Sequence, residues 1–334
     1  MKIKVIKPGL QDSIQDTGRV GYQIYGISTS GAMDGYAAQI ANLLVGNDRH
    51  EAVIEICRVG PSLYFDSDCY IAVTGARFDL AIDGIAAEQD RLIYLKAGSC
   101  LAFNQASIGI YAYLAIRGKF RLPSVFGSKS TDIVAGFGGF KGRALRVDDE
   151  ISVTVASNLP DFKALSNRVI TTSTFFVRTC PLSNSPDRAT IRVIKGKQFD
   201  QFTDDSVSLF LNTDFCVSSF CNRMGYRLNN KAAIKKKEVN SEMDSEAVTK
   251  GAIQIANDGQ AIVLLSDRQT CGGYPKIANI ISVDIKKMVN LASGTQLSFK
   301  LVSLAEAQAL FIDEIKKIHG IAIEMQTFLS KAGP

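Results

Sequence analysis

Four glycine-rich polar segments concentrate the residue types that can do chemistry in this chain. The first runs from Pro8-Gly9-Leu10-Gln11-Asp12-Ser13 through Gln15-Asp16-Thr17-Gly18-Arg19 to Ser30-Gly31-Ala32-Met33-Asp34. Ser30 or Asp34 can serve instead as the cap of the helix that follows. The second is Gly127-Ser128-Lys129-Ser130-Thr131-Asp132, leading to Gly136-Phe137-Gly138-Gly139-Phe140-Lys141-Gly142-Arg143. It lacks the spacing of both Gly-x-x-x-x-Gly-Lys-Ser/Thr and Gly-x-Gly-x-x-Gly, so neither a Walker loop nor a dinucleotide fingerprint is supported. Its glycine amides, its hydroxyls and the cations Lys129, Lys141 and Arg143 are suited to an anion such as carboxylate or phosphate, and tight turns at a barrel rim explain the composition equally well.

The third segment is Asn222-Arg223-Met224-Gly225-Tyr226-Arg227-Leu228. Two arginines about a glycine turn offer planar forks for a carboxylate, with solvated surface arginines as the plain alternative. The fourth, Ser266-Asp267-Arg268-Gln269-Thr270-Cys271-Gly272-Gly273-Tyr274-Pro275-Lys276, follows the apolar strand Ile262 to Leu265. A strand end there displays Asp267, Arg268, Gln269, Tyr274 and Lys276, either as a binding or proton-transfer constellation or as structural ion pairs.

What is scarce narrows the chemistry. His50 and His319 are the two histidines of 334 residues, both in charged surroundings, so neither histidine acid/base catalysis nor a serine triad is expected. The seven cysteines are odd in number, form no Cys-x-x-Cys pair and mostly lie in apolar runs, as reduced, buried thiols do. Cys216 and Cys221 have no further ligands nearby, so no metal site is expected. Lys and Arg (38) exceed Asp and Glu (33) by five, spread along the chain, and the run Lys235-Lys236-Lys237 reads as a solvated loop. No nucleic-acid partner is implied. The start has no signal-peptide core, and no stretch reaches the roughly 18 apolar residues of a membrane helix, so a cytoplasmic chain without a membrane partner is expected.

These segments need a scaffold, and the remaining pattern describes one. Short alternating runs at Ser62 to Phe65, Tyr70 to Thr74, Phe78 to Ile82, Leu92 to Leu95, Cys100 to Phe103 and Ile110 to Ile116 predict strands of a barrel or sandwich. Asp83-Gly84 marks a hairpin turn. Helical spacing of Ala37, Ile40, Ala41 and Leu44 predicts a helix within Ser30 to Val45, stopped by Gly46-Asn47. Further strands are expected at Ile191 to Ile194, Ala261 to Leu265, Ile280 to Ile285 and Gln296 to Val302, with a short helix at Asp204 to Leu211. Ser303-Leu304-Ala305-Glu306 is a capping box opening a helix whose apolar stripe is Leu304, Ala307, Phe311, Ile315 and Ile318. The organisation is an N-terminal β-rich lobe over 1–157, a connecting segment over 158–190 holding Pro160, Pro181 and Pro186, and a C-terminal β-rich lobe with a terminal helix over 191–334.

At the same four segments, joined by Gly251-Ala252-Ile253-Gln254, the sequence resembles the carboxyltransferase-domain family known as allophanate hydrolase subunit 2, KipA or the corresponding 5-oxoprolinase component. The matches run in order over residues 3 to 310. The resemblance implies a mostly β fold of cyclophilin-like barrel lobes with few short helices, and a KipI-type (allophanate hydrolase subunit 1) partner. It implies one of three roles: ATP-dependent opening of 5-oxoproline to glutamate with a LamB/YcsF-type protein as well, biotin-dependent carboxyl transfer of the urea carboxylase kind, or antagonism of a kinase inhibitor. The first is the leading expectation, with ATP and Mg2+ bound in the complex and biotin needed only under the second. For a lactam substrate, Asp267, Arg268, Lys276 and Asp132 are the expected catalytic groups; Arg223, Tyr226, Lys129, Ser130, Tyr274, Gln269 and Arg19 are expected to bind substrate. Where relatives carry a histidine after Gly-Tyr-Gln, this chain has Ile24, and Cys271 replaces a threonine.

Overall fold

A computed structural model describes residues 1–155, 170–182, 187–238 and 243–331. The chain divides into two compact units, one of Met1–Arg19, Ser30–Ser183 and Lys316–Pro334, the other of Val20–Thr29 and Asn184–Ile315. Of the connecting segment expected over 158–190, residues 158–169 and 183–186 lie outside the described residues.

Unit 1 is built on two long antiparallel strands, Cys69–Ile82 and Cys100–Ile116, inside an eleven-stranded sheet. The four short runs expected there fuse in pairs. The register shifts between Gly75 and Leu80, so each strand bends through bulges without ending. Gly75 carries the bend at φ +90°, where a Cβ would lie 2.5 Å from the Tyr111 carbonyl oxygen. Asp83 and Gly84, at φ +52° and +81°, make the expected hairpin turn to Ile85–Ala87. Helix α1, Gly35–Leu44, starts on Asp34, whose side chain accepts the Ala37 amide at 3.0 Å. Ser30 is not the cap; it holds a left-handed φ of +51°.

Unit 2 is a closed seven-stranded barrel in the order Arg188–Lys195, Lys276–Ile280, Ala252–Ile255, Ala261–Leu264, Gly225–Asn229, Phe215–Cys221 and Gln296–Leu301, the last pairing in parallel with the first. Period-two alternation fills it: Tyr226, Leu228, Ile253 and Val263 are buried inside. Helix α2, Asp204–Asn212, is capped by Thr203 and stacks Phe210 on Phe299 with ring centroids 4.6 Å apart.

Two expected elements differ. The run Ile280 to Ile285 is not a strand; after Ile280 the chain turns through Ser282–Asp284 into helix α3, Ile285–Val289. Asp284, fully buried, accepts the Arg192 amide at 2.9 Å and both arms of its guanidinium at 2.9 and 2.6 Å, and this anchor overrides the alternating apolar pattern. Burial alone would raise the Asp284 carboxyl; the Arg192 bonds and Lys287 outweigh it and hold it below the usual range. Helix α4, Leu304–Lys331, begins as expected with Ser303 Oγ accepting the Glu306 amide at 3.1 Å. Its expected stripe holds at Ala307, Ile315 and Ile318, which are half-buried or buried, and fails at its other two positions. Leu304 and Phe311 are exposed, Ile318 and Met325 are buried, and Glu314 occupies an inward turn where its carboxylate pairs with Lys286. A charged residue on the inward face hides that face from a hydrophobic count. No described helix is long and apolar enough to cross a membrane.

Candidate functional site

The outward face of the unit 2 barrel carries a cavity lined by residues of the third and fourth segments. In the strand Gly225–Asn229, alternation sends Tyr226 and Leu228 inward and leaves Gly225 and Arg227 outward. Arg227 pairs with Ile262, which pairs with Gln254, so these three stand in one row across three strands; Gly225 and Leu264 form the next. Gly225 is needed there, because a Cβ would lie 2.6 Å from the Val263 carbonyl oxygen. Ser219 to Asn222 and Gln269 with Tyr274 wall a groove of about 590 Å³ over this floor. A second groove of about 500 Å³, lined by Ser218, Leu228, Asn229 and Gln260, shares Phe220 and Arg227 with the first.

Inside the groove the polar groups are neutral apart from Arg227. Asn222 Oδ1 accepts the Met224 and Gly225 amides at 2.8 and 3.2 Å and shapes one wall. Gln254 Nε2 donates to the Tyr274 carbonyl at 3.2 Å, and the Cys221 thiol donates to the Ser218 carbonyl at 3.0 Å. Tyr274 and Gln269, expected to bind substrate, do line this groove.

The other expected residues of unit 2 stand behind the groove rather than in it. Arg223 is not an open carboxylate clamp: it is buried, and its Nε and Nη2 donate to Asp267 Oδ2 and Oδ1 at 2.8 and 3.0 Å. The same pairing engages both oxygens of Asp267. Arg268 is buried too; its Nε donates to the Val248 carbonyl at 3.2 Å and its Nη1 to Thr29 Oγ1 and the Leu265 carbonyl at 3.1 and 3.2 Å. Burial lowers its pKa. Lys276 is buried with its ammonium 3.5 Å from Glu246 Oε2. Tyr226 is a barrel-core residue whose hydroxyl donates to the Val289 carbonyl at 2.9 Å, so it does not reach a ligand on the outer face.

The expected residues of unit 1 form a separate knot. Asp16 Oδ1 accepts the hydroxyls of Ser128 and Ser130, both at 2.6 Å, and the Gly18 amide at 2.8 Å; Oδ2 accepts the Lys129 amide at 2.6 Å. The groups expected to hold an external anion already hold an internal one. Lys129 Nζ meets Glu51 Oε1 at 2.7 Å. Arg19 is buried, donating to the carbonyls of Val125 and Ser130, with its guanidinium 4.6 Å from the Phe137 ring centroid. The glycine run wraps this arginine: a Cβ on Gly138 would lie 2.2 Å from Arg19 Nη2. Asp132 is a buried turn residue, its Oδ1 accepting the Ala135 amide at 2.9 Å. Among the described residues no group of three or more His, Cys, Asp or Glu is arranged to hold a metal ion.

The sequence pointed to Arg223 rather than Arg227 as the substrate-binding arginine, and assigned no role to Arg227, Gln254, Ser219, Phe220 or Cys221. The signal for Arg227 lies in the alternation of Gly225-Tyr226-Arg227-Leu228, which points the second arginine out and the tyrosine in. The segment Ser219 to Cys221 has no comparable signal, because its importance comes from the strands that it faces.

Residues 25–301 match the family described as carboxyltransferase domain, subdomain A and B. A protein of Haemophilus influenzae named as a component of 5-oxoprolinase is 33% identical over 92% of this chain and 95% of its own length. An Escherichia coli protein of the same name is 34% identical over 91% of this chain and 93% of its own. The crystal structure of the Kluyveromyces lactis urea carboxylase superposes with a TM-score of 0.85 at 27% identity, over 96% of this chain and 29% of that one. The chain belongs to the carboxyltransferase domain, subdomain A and B family.

Proposed function

We propose that this chain is one component of an ATP-dependent 5-oxoprolinase, which opens 5-oxoproline to glutamate together with KipI-type and LamB/YcsF-type partners in the cytoplasm. The observation that carries it is identity of 33% and 34%, over nearly full length, to two proteins named as 5-oxoprolinase components. The groove is compatible: its neutral amides and single arginine suit a small amide that bears one carboxylate. In the reaction the ring C–N bond breaks, water supplies the new carboxyl oxygen, and the nitrogen leaves as the amine of glutamate. The unstrained ring explains the need for coupling to ATP.

The glycine-rich loop suited by composition to a phosphate does not fit the nucleotide as it stands: the Asp16 carboxylate fills Gly127 to Thr131, and among the described residues no group of three or more His, Cys, Asp or Glu is arranged to hold a metal ion. Under this reading ATP is held on the partner proteins, and this chain supplies the groove. Co-expression with both partners and measurement of glutamate release tests the proposal; ATP-dependent release is expected, and its absence from the complete complex overturns it.

A second reading, biotin-dependent carboxyl transfer, is favoured by the superposition on the Kluyveromyces lactis urea carboxylase. The chain has no Met-Lys-Met signal of its own, so a separate biotinylated carrier is required. Retention of such a carrier on the immobilised chain would support it.

A further inference from the structure

The two grooves on the outer barrel face place all their formal charge in one side chain. Arg227 stands on their common edge with Phe220, which is 77% exposed; every other lining residue is neutral. The arginines near the other glycine-rich segments are spent within the fold: Arg19 on carbonyls, Arg143 on Asp149, Arg223 on Asp267, Arg268 on carbonyls and Thr29. Among the described residues the Arg227 guanidinium makes no hydrogen bond or ion pair, while its backbone is fixed by pairing with Ile262. An exposed cation with rigid backbone support is preorganised for an anion, and a guanidinium fork matches a carboxylate best.

The neighbours set the rest of the ligand. Gln254 shares the cross-strand row with Arg227, and Gln269 faces the same cavity; a Cβ on Gly272 would lie 2.7 Å from Gln254 Nε2 and 3.4 Å from Gln269 Nε2, so the two carboxamides converge. Gln254 Oε1 and the Gln269 carboxamide make no hydrogen bond among the described residues. Gln254 Oε1 can accept an amide N–H, and the Gln269 carboxamide can accept an amide N–H or donate to an amide C=O. A second negative charge on the ligand would find no second cation, and a ligand ammonium would find no carboxylate.

We propose that Arg227 is the specificity-determining residue of this face. It reads the single carboxylate of a small ligand whose neutral amide or lactam is held by Gln254 and Gln269. The inference rests on the oxoprolinase reading for its first probe, 5-oxoproline, and not for the ligand class.

Cys221 lines the same cavity and reports on its occupancy. The full chain carrying Cys271→Ser is alkylated with iodoacetamide, and the rate at Cys221 is followed by peptide mass spectrometry. Added ligands are 5-oxoproline, the same lactam without its carboxylate (2-pyrrolidinone), N-acetylglycine and N-carbamoylglycine. 5-Oxoproline is expected to protect Cys221. The protecting concentration should rise tenfold or more in Arg227→Gln and recover in part in Arg227→Lys, with 2-pyrrolidinone acting alike on all three. Equal protection in wild type and Arg227→Gln overturns the proposal, as does failure of all three carboxylates to protect. Arg227-dependent protection by N-acetylglycine or N-carbamoylglycine without any by 5-oxoproline keeps the role of Arg227 and removes the oxoprolinase reading.

Discussion

Arg223 and Asp267 grip each other twice over: the guanidinium meets both carboxylate oxygens at 2.8 and 3.0 Å, and the Asp267 amide donates to the Arg223 carbonyl at 2.9 Å. The pair ties the Met224 wall of the groove to the loop that delivers Gln269. Both side chains are almost wholly buried, so loss of one leaves an uncompensated charge. Arg223→Met or Asp267→Leu alone should cost about 3–5 kcal/mol in urea unfolding, and the double variant clearly less than the sum. Additive costs would show that the two do not act as a unit.

Asp12 gives stability a pH dependence of unusual sign. Burial pushes its carboxyl up to about 7 against the lowering effect of the Gly9 amide, which donates to Oδ2 at 2.6 Å. A folded-state pKa above the unfolded one means that the native chain binds the extra proton. The Asp12 contribution is therefore best below about pH 4 and is lost as pH rises to about 7, by up to about 4 kcal/mol. Asp12→Asn should gain on wild type over that window and run parallel above it. Parallel curves throughout would refute this.

Asp16 holds the Ser128 to Ser130 loop through three contacts, and Asp16→Ala removes all of them. The expected result is faster tryptic cleavage after Lys129 and a stability loss of about 2–3 kcal/mol. Inorganic phosphate should not protect wild type against that cleavage. Protection by phosphate would restore the anion-loop interpretation.

The seven thiols are all free and differ widely in access. Cys271 is exposed, whereas Cys57 and Cys69 are buried and pushed up to about 12 by desolvation. Native protein should show Cys271 as the fastest thiol towards Ellman's reagent, lost in Cys271→Ser, with Cys57 and Cys69 reacting only in denaturant. Rapid native reaction of Cys69 would contradict its burial.

Much of the scaffold was legible in the sequence because local rules and tertiary packing agree. The Asp83-Gly84 turn, the Asp34 cap and the Ser303 capping box all stand where their residue chemistry put them. Where they disagree, the tertiary partner decides. Arg192 turns the apolar run after Ile280 into a helix, and Lys286 draws Glu314 inward on α4. The site was less legible for the same reason. Charge and glycine density identify Arg19, Asp16 and Asp267 as special without telling that their partners are internal. Arg227 looks no different from Arg223 until the strand direction assigns one to the outside.

The seven-stranded barrel divides labour along each strand: alternate residues fill an interior that closure has completed, and the rest face outward, where Leu264 and Ile262 join Val248 and Ala252 in a small apolar cluster. Arg227, exposed on that face, can thus change identity while Tyr226, Leu228 and Val263 keep the barrel folded. Such a surface is open to evolutionary drift at low cost to the fold. A scaffold of this kind can serve relatives of different names, among them a 5-oxoprolinase component and a urea carboxylase.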